Sequence, residues 1–363
     1  MEKIFNILDF GAVGDGKTDC TAAIQAAIDA ADSHAKIIIP PGVYMVGRLH
    51  LRGQFKSLEG TSAWSFRNDG ASVLKLNTTD TDCLLDITGA FGCSIKGVCL
   101  NGDHLGENIH GVKLYWDKYN GGSEEDTPAI DDCRIGCFSG DGVHLEHIWC
   151  FSIRHSMLHR NGGAGLFIDG WDGFIIDNWF TGNTLGGIKG GNVVASITCT
   201  GNRVEWNRTA GFDIPFGDSY NITGNFFDRT FGPALRLGSD EGRVDLVSVT
   251  GNIFRRSGAH VPETPHANPD FSCHMILTHC SDTVVTGNTM RVGKNDGGGG
   301  VMSPNYAFII KDCKDCIVKD NTMARGSLVK NLDLRGDNST CSIENNIGDL
   351  ADENTSTGSP LLN

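Results

Sequence analysis

A repeat of about 23 residues limits what this chain can fold into more than any other feature of its sequence. From Asp141 onward, similar short segments begin at positions 141, 164, 187, 210 and 233. They read Asp141-Gly142-Val143-His144-Leu145, Ala164-Gly165-Leu166-Phe167-Ile168, Gly187-Ile188-Lys189, Ala210-Gly211-Phe212-Asp213-Ile214 and Pro233-Ala234-Leu235-Arg236-Leu237. A second series consists of asparagines at 202, 225, 252 and 288, each closing a Thr-Gly-Asn triplet, with Asn178 and Asn321 extending it on either side. A unit this short cannot bury an apolar face alone. Stacked coils give every short strand parallel partners about 4.8 Å away. Asparagines in register at a turn can bond to the bent backbone and to each other. A β-propeller blade needs about 40 residues or more, which excludes that architecture. The expected fold is all-β, a right-handed parallel β-helix (solenoid). Alternation turns Val143, Leu145, Leu166, Ile168, Phe212, Ile214, Leu235 and Leu237 inward and the residues between them outward.

The first fifty residues differ. Thr21–Ala31 has apolar positions at helical spacing, with Asp19 or Thr21 as N-cap. A β-helix leaves unpaired strand edges at its end, so this segment is expected to be an N-terminal capping α-helix. Lys36–Tyr44 reads as the first strand and turn. The expected organisation is one β-helix domain over 1–363, with cap and first strand in 1–50, coils in 51–350 and a tail in 351–363.

Composition narrows the function. A formal charge of −14 disfavours a nucleic-acid partner. No apolar run approaches the roughly 18 residues of a membrane span. The first residues match no secretory signal, and thirteen cysteines without zinc-site spacing read as reduced, mostly buried thiols. Together these point to a cytoplasmic protein, or a secreted one if a signal was trimmed.

The segment Asp9-Phe10-Gly11-Ala12-Val13-Gly14-Asp15-Gly16-Lys17-Thr18-Asp19, followed by the helix and Ile39-Pro40-Pro41-Gly42-Val43-Tyr44, resembles the opening of pectate-lyase-like superfamily proteins. That group includes polygalacturonases, polysaccharide lyases, alginate epimerases and phage tailspikes. The resemblance implies a carbohydrate substrate, calcium if the chain is a lyase, and a homo-oligomer, a trimer if it is tailspike-like. No other cofactor is expected. Asp141-Gly142 is similar to the start of a polygalacturonase catalytic coil, but Gly163-Ala164 stands where that family has paired aspartates and no Gly-His-Gly follows. Against alginate epimerases, Asp169 matches a catalytic aspartate. Glu146, His144 and Asp141 stand where a histidine, a second aspartate and a tyrosine belong.

The outward residues form two columns. The first holds Lys113, His144, Phe167, Lys189, Asp213 and Arg236; the second holds Tyr115, Glu146, Asp169, Gly191 and Pro215. Acids, bases and aromatics (Trp116 and Trp171 beside them) on successive rungs suit a saccharide, although a solvated face could also be charged. Insertions at Asp117–Pro128, Ala259–Ser272 and Lys294–Asn305 would border the groove. Glu146 and Asp169 on adjacent rungs could split their proton affinities and act as acid and nucleophile or base. Asp213 is an alternative catalytic partner. Lys113, Tyr115, Asp141, His144, Phe167, Trp171, Lys189 and Arg236 are the expected substrate-binding residues, and no metal ligands are expected. A glycoside hydrolase is the leading reading. A uronate lyase or epimerase using His144, Lys189 or Arg236 is the second, and a non-enzymatic carbohydrate-binding spike or adhesin the third. Glu205, Asp228 and Arg255, with Trp206 and Arg229, align as a rival column that reads as a solvated face or subunit contact. His260 and His266 are expected in a substrate-side loop, Asp240 and Glu241 in a turn.

Overall fold

The computed structural model describes residues 3–61, 65–118, 125–258, 271–293 and 303–350. The chain divides into two compact units, Met1–Trp179 and Phe180–Asn363. His260, His266 and most of the second and third insertions lie outside the described residues, as do 119–124 of the first.

In the first unit, parallel strands stack into three walls. One runs through Leu49–His50, Cys83–Asp86, His110–Tyr115, Val143–Arg154 and Leu166–Ile176, with Val112 opposite Val143 and Val143 opposite Leu166. Another carries Lys3–Asn6, Ala35–Ile38, Ser57–Glu59, Ser94–Lys96 and Ala129–Asp131. The third carries Asp15–Asp19, Gly42–Val46, Ser72–Leu76, Cys99–Asn101, Arg134–Gly136 and Met157–His159. This is the coil arrangement of a parallel β-helix. The inward residues Val112, Leu114, Val143, Leu145, Leu166 and Ile168 are fully buried, each contributing about 1.5–3 kcal/mol. Strands thus begin well before Lys36, which is not in the first one.

The second unit repeats the scheme. Phe212–Ile214 pairs with Leu235–Leu237, and Met275 with Phe308. Ile188 pairs with Phe212, 24 residues on, so the repeat start at 187 sits one residue late. The asparagine ladder forms as side-chain amides in series. Asn202, Asn225, Asn252, Asn288 and Asn321 each donate from Nδ2 to the Oδ1 of the next member at 2.9–3.0 Å, and Asn346 closes the series. A second corner has its own pair, Asn183 and Asn207.

A helix forms at Thr21–Ala30 with Ile24, Ala27 and Ile28 buried. Its N-cap is Cys20, which makes no side-chain cap bond; Asp19 accepts from the Thr21 N–H at 3.0 Å instead. All thirteen cysteines are free thiols, ten of them buried. No described helix is long and apolar enough to cross a membrane. Asp240 and Glu241 sit in a tight turn closed by mutual backbone bonds between Ser239 and Gly242.

Candidate active site

Register decides which side chains meet. On the first wall of Met1–Trp179, His50, Asp86, Lys113, His144 and Phe167 succeed one another rung by rung, and beside them run Tyr115, Glu146 and Asp169. Parallel pairing sets neighbouring rungs about 4.8 Å apart.

Asp141, just before the strand, is the hub of the cluster. Its Oδ1 accepts the Ala164 N–H at 2.6 Å, and its Oδ2 lies 2.7 Å from His144 Nδ1 and 3.4 Å from His110 Nδ1. The Asp141 N–H donates to His110 Nδ1 at 2.9 Å, so that nitrogen keeps its lone pair. Burial, reinforced by the neighbouring His144, pushes the His110 pKa down to about 4, with Asp141 opposing. His144 also reaches Glu146 Oε2 from Nε2 at 3.2 Å. Its ring lies against Phe167 (4.6 Å between centroids, 9° between planes) and against His110 (4.3 Å). The result is a chain of acid–base groups, Asp141–His144–Glu146, with the imidazole locked by stacking. Glu146 is its open end: its side chain is 32% exposed, against 14% for His144. Asp169, next to Glu146 in register, is buried at 5%.

The strand bulges immediately afterwards. Register shifts between Glu146 and Ile148, with His147 at φ 58° and its Nδ1 2.6 Å from the Trp116 carbonyl oxygen. This bulge aims Glu146 and ends its ladder segment. Opposite it stands Gly170 at φ +150°, where an added Cβ would lie 2.1 Å from the Ile148 carbonyl oxygen. Gly170→Ala should therefore cost about 2–4 kcal/mol in chemical denaturation. Gly224→Ala, at φ +66° with open space around it, should cost only about 1–2 kcal/mol.

The lower end of the column is ionic. Asp86 Oδ2 takes Arg48 at 2.7 Å and His50 at 3.1 Å. Burial pushes its pKa upward, but the Thr88 N–H and Arg48 outweigh that and hold it at about 2. Lys113 is committed to Asp82 at 2.9 Å and lies 5.3 Å from the Tyr115 ring, so it stands in the column as half of an ion pair. Tyr115 is 40% exposed. Trp171 pairs with Trp149, whose Nε1 donates to Asp172 at 3.0 Å.

Lys189, Asp213 and Arg236 lie in the second unit, where they also form one column. Arg236 is 3.7 Å from Asp213, whose Oδ1 has no partner. Burial raises the Asp213 pKa, with Arg236 and Lys189 opposing. The rival column is not a solvated face: Glu205 and Asp228 are buried. His110 was missed by the repeat. It stands ahead of Val112, which pairs with Val143 31 residues on, so an inserted loop hides the period.

His110, Asp141 and His144 bring three potential ligand atoms within 4.8 Å of one another. Calcium takes six to eight oxygens; two imidazoles and one carboxylate do not suit it, and both Nδ1 atoms already serve protein groups. The chemistry available here is proton transfer by carboxylates and imidazole.

Residues 4–81 match the family model of rhamnogalacturonase A/epimerase, pectate lyase-like. Mannuronan C5-epimerase AlgE5 of Azotobacter vinelandii is 30% identical over 237 residues, covering 60% of this chain and 23% of that protein. Probable rhamnogalacturonase E of Aspergillus flavus is 24% identical over 295 residues, 70% of this chain and 63% of the relative. The match thus spans less than two thirds of either relative. Among solved structures, the A-module of A. vinelandii mannuronan C-5 epimerase AlgE6 aligns with a TM-score of 0.58 at 16% identity, covering 96% of this chain and all of the module. The N-terminal segment is thus similar to the pectate-lyase-like family, and the fold of the chain is the parallel β-helix of the AlgE6 module.

Proposed function

We propose that the protein is a glycoside hydrolase acting on an oligo- or polysaccharide, with Glu146 as general acid and Asp169 as nucleophile or base. The observation that carries this reading is the register pairing of the two carboxylates, one opening to solvent and one buried. Their backbones lie about 4.8 Å apart, which places both carboxyl groups on neighbouring rungs of one column. The two carboxyl groups thus stand in different surroundings, as the distinct roles of an acid and its partner call for. Asp141 and His144 stand behind Glu146 as positioning residues that hold its carboxyl in place to protonate the glycosidic oxygen. Tyr115, Phe167 and Trp171 offer faces for sugar rings. The helix Thr21–Ala30 is read as the cap over the first coil.

A second reading rests on the His144–Asp141 pair and on relatives named mannuronan C5-epimerase and alginate lyase. Here the Glu146–His144 chain would take the proton beside a uronate carboxylate. Incubation with neutral and uronic glycans separates the two. New reducing ends without ultraviolet absorbance support hydrolysis. An absorbing unsaturated product, or proton exchange from solvent without cleavage, supports the second reading, and no turnover of any glycan sinks both.

A further inference from the structure

The rival column of the second unit concentrates positive charge in a chain whose formal charge is −14. Strands Arg203–Glu205, Phe226–Asp228, Ile253–Arg255 and Thr289–Arg291 pair in register, so Glu205, Asp228, Arg255 and Arg291 follow one another outward. Their middle residues Val204, Phe227, Phe254 and Met290 fill the core. The chain then turns through left-handed Trp206, Arg229 and Arg256 (φ 58°, 52° and 45°), which fixes a second set of side chains beside the first.

The acids of this column are already engaged. Asp228, 1% exposed, accepts from Arg256 Nε at 2.8 Å and from the Arg229 guanidinium, while Glu205 lies 3.0 Å from Arg203. Arg255, Arg291 and Arg325 have no ion pair among the described residues, and Arg255 Nε is buried without a hydrogen-bond partner. Burial and then Arg256, Arg229 and Arg291 depress the Arg255 pKa, with Asp228 opposing. Arg325 stands one rung beyond, its carbonyl oxygen accepting the Val292 N–H. Beside Arg291 opens a cavity of about 490 Å³ lined by Thr289, Arg291, Thr322, Arg325 and Asp349. Six arginines (Arg203, Arg229, Arg255, Arg256, Arg291 and Arg325) thus share this strip with Glu205, Asp228 and Asp349. Like charges held this close cost free energy that a bound anion would offset, and guanidinium forks with threonine hydroxyls fit a planar or tetrahedral oxyanion.

We propose that Arg255, Arg291 and Arg325 form an oxyanion subsite, distinct from the Glu146 cluster, that takes the carboxylate or sulfate ester of an acidic saccharide.

The test is calorimetric titration at low salt with trigalacturonate, a sulfated disaccharide, inorganic sulfate and maltotriose. The proteins are the wild type, Arg291→Gln and Arg255→Gln/Arg291→Gln. Arg291 is exposed, so its replacement leaves the core untouched, and melting curves check the double variant. An acidic saccharide should bind the wild type and bind Arg291→Gln about tenfold or more weakly. Trigalacturonate in that role assigns the carboxylate, the sulfated sugar the ester. Maltotriose should show no such loss. The idea is overturned if only inorganic sulfate binds (an adventitious ion only), if no anion binds, or if the affinity survives both variants. Repeating the titration in Asp169→Asn keeps the two sites separate, since this binding should persist whether or not that variant turns over.

Discussion

Asp169→Asn should lower turnover by roughly 10²- to 10⁴-fold, the span attributed to a positioned acid–base group, while the protein folds and melts as before. The side chains are isosteric, and the site keeps its shape because the neighbouring groups are fixed by backbone register and by the His147 bulge opposite Gly170. What changes is the charge available to attack the sugar or activate water. Glu146→Gln should act differently. It removes the group at the solvent end of the Asp141–His144–Glu146 chain, so the alkaline limb of the pH–rate profile should change as well as the rate. Unchanged turnover in Asp169→Asn, measured on a glycan that the wild type cleaves, would remove this groove from the mechanism.

Acid should weaken the fold well before its carboxylates titrate. Burial pushes His110 down to about 4, and His159 and His274 down to about 3. His159 Nε2 is buried without a partner and the His274 ring is wholly buried, so the native state holds these rings neutral. The unfolded chain protonates them below its own value of about 6.5. Native pKa values are depressed, so their stabilising effect is complete above about pH 7 and is lost as pH falls from there towards 4 and 3. At pH 5 each ring costs about 2 kcal/mol, roughly 6 kcal/mol for the three. Asp86, held at about 2, adds its own loss only below the ordinary carboxylate range. Urea denaturation at pH 7 and pH 5 measures this, and His274→Leu should remove about a third of the difference. Equal stability at the two values would contradict the buried-neutral assignment.

Much of the architecture could be read from residue spacing because a parallel coil repeats its own geometry. Once Val143 and Leu166 are taken as equivalent, His144–Phe167 and Glu146–Asp169 follow by counting, and the observed register agrees. Counting failed where coils change length: the repeat start at 187 sits one residue late, although Lys189 falls opposite Asp213 as its column predicts, and the insertion between Val112 and Val143 concealed His110. Coverage was the other gap. Alternation says that Asp228 and His274 leave the core of their own coil, but not that neighbouring segments then bury them at 1% and 0% exposure. Ionic commitments such as Lys113 with Asp82 depend on rotamers, which spacing does not encode.

The fate of solvent oxygen distinguishes the proposed chemistry most sharply. If Glu146 and Asp169 split a glycosidic bond with water, digestion in heavy-oxygen water must leave one labelled oxygen on each new reducing end, read by mass spectrometry. Products that carry no label, or a product lighter than the hydrolysed sugar by one water, would contradict the account.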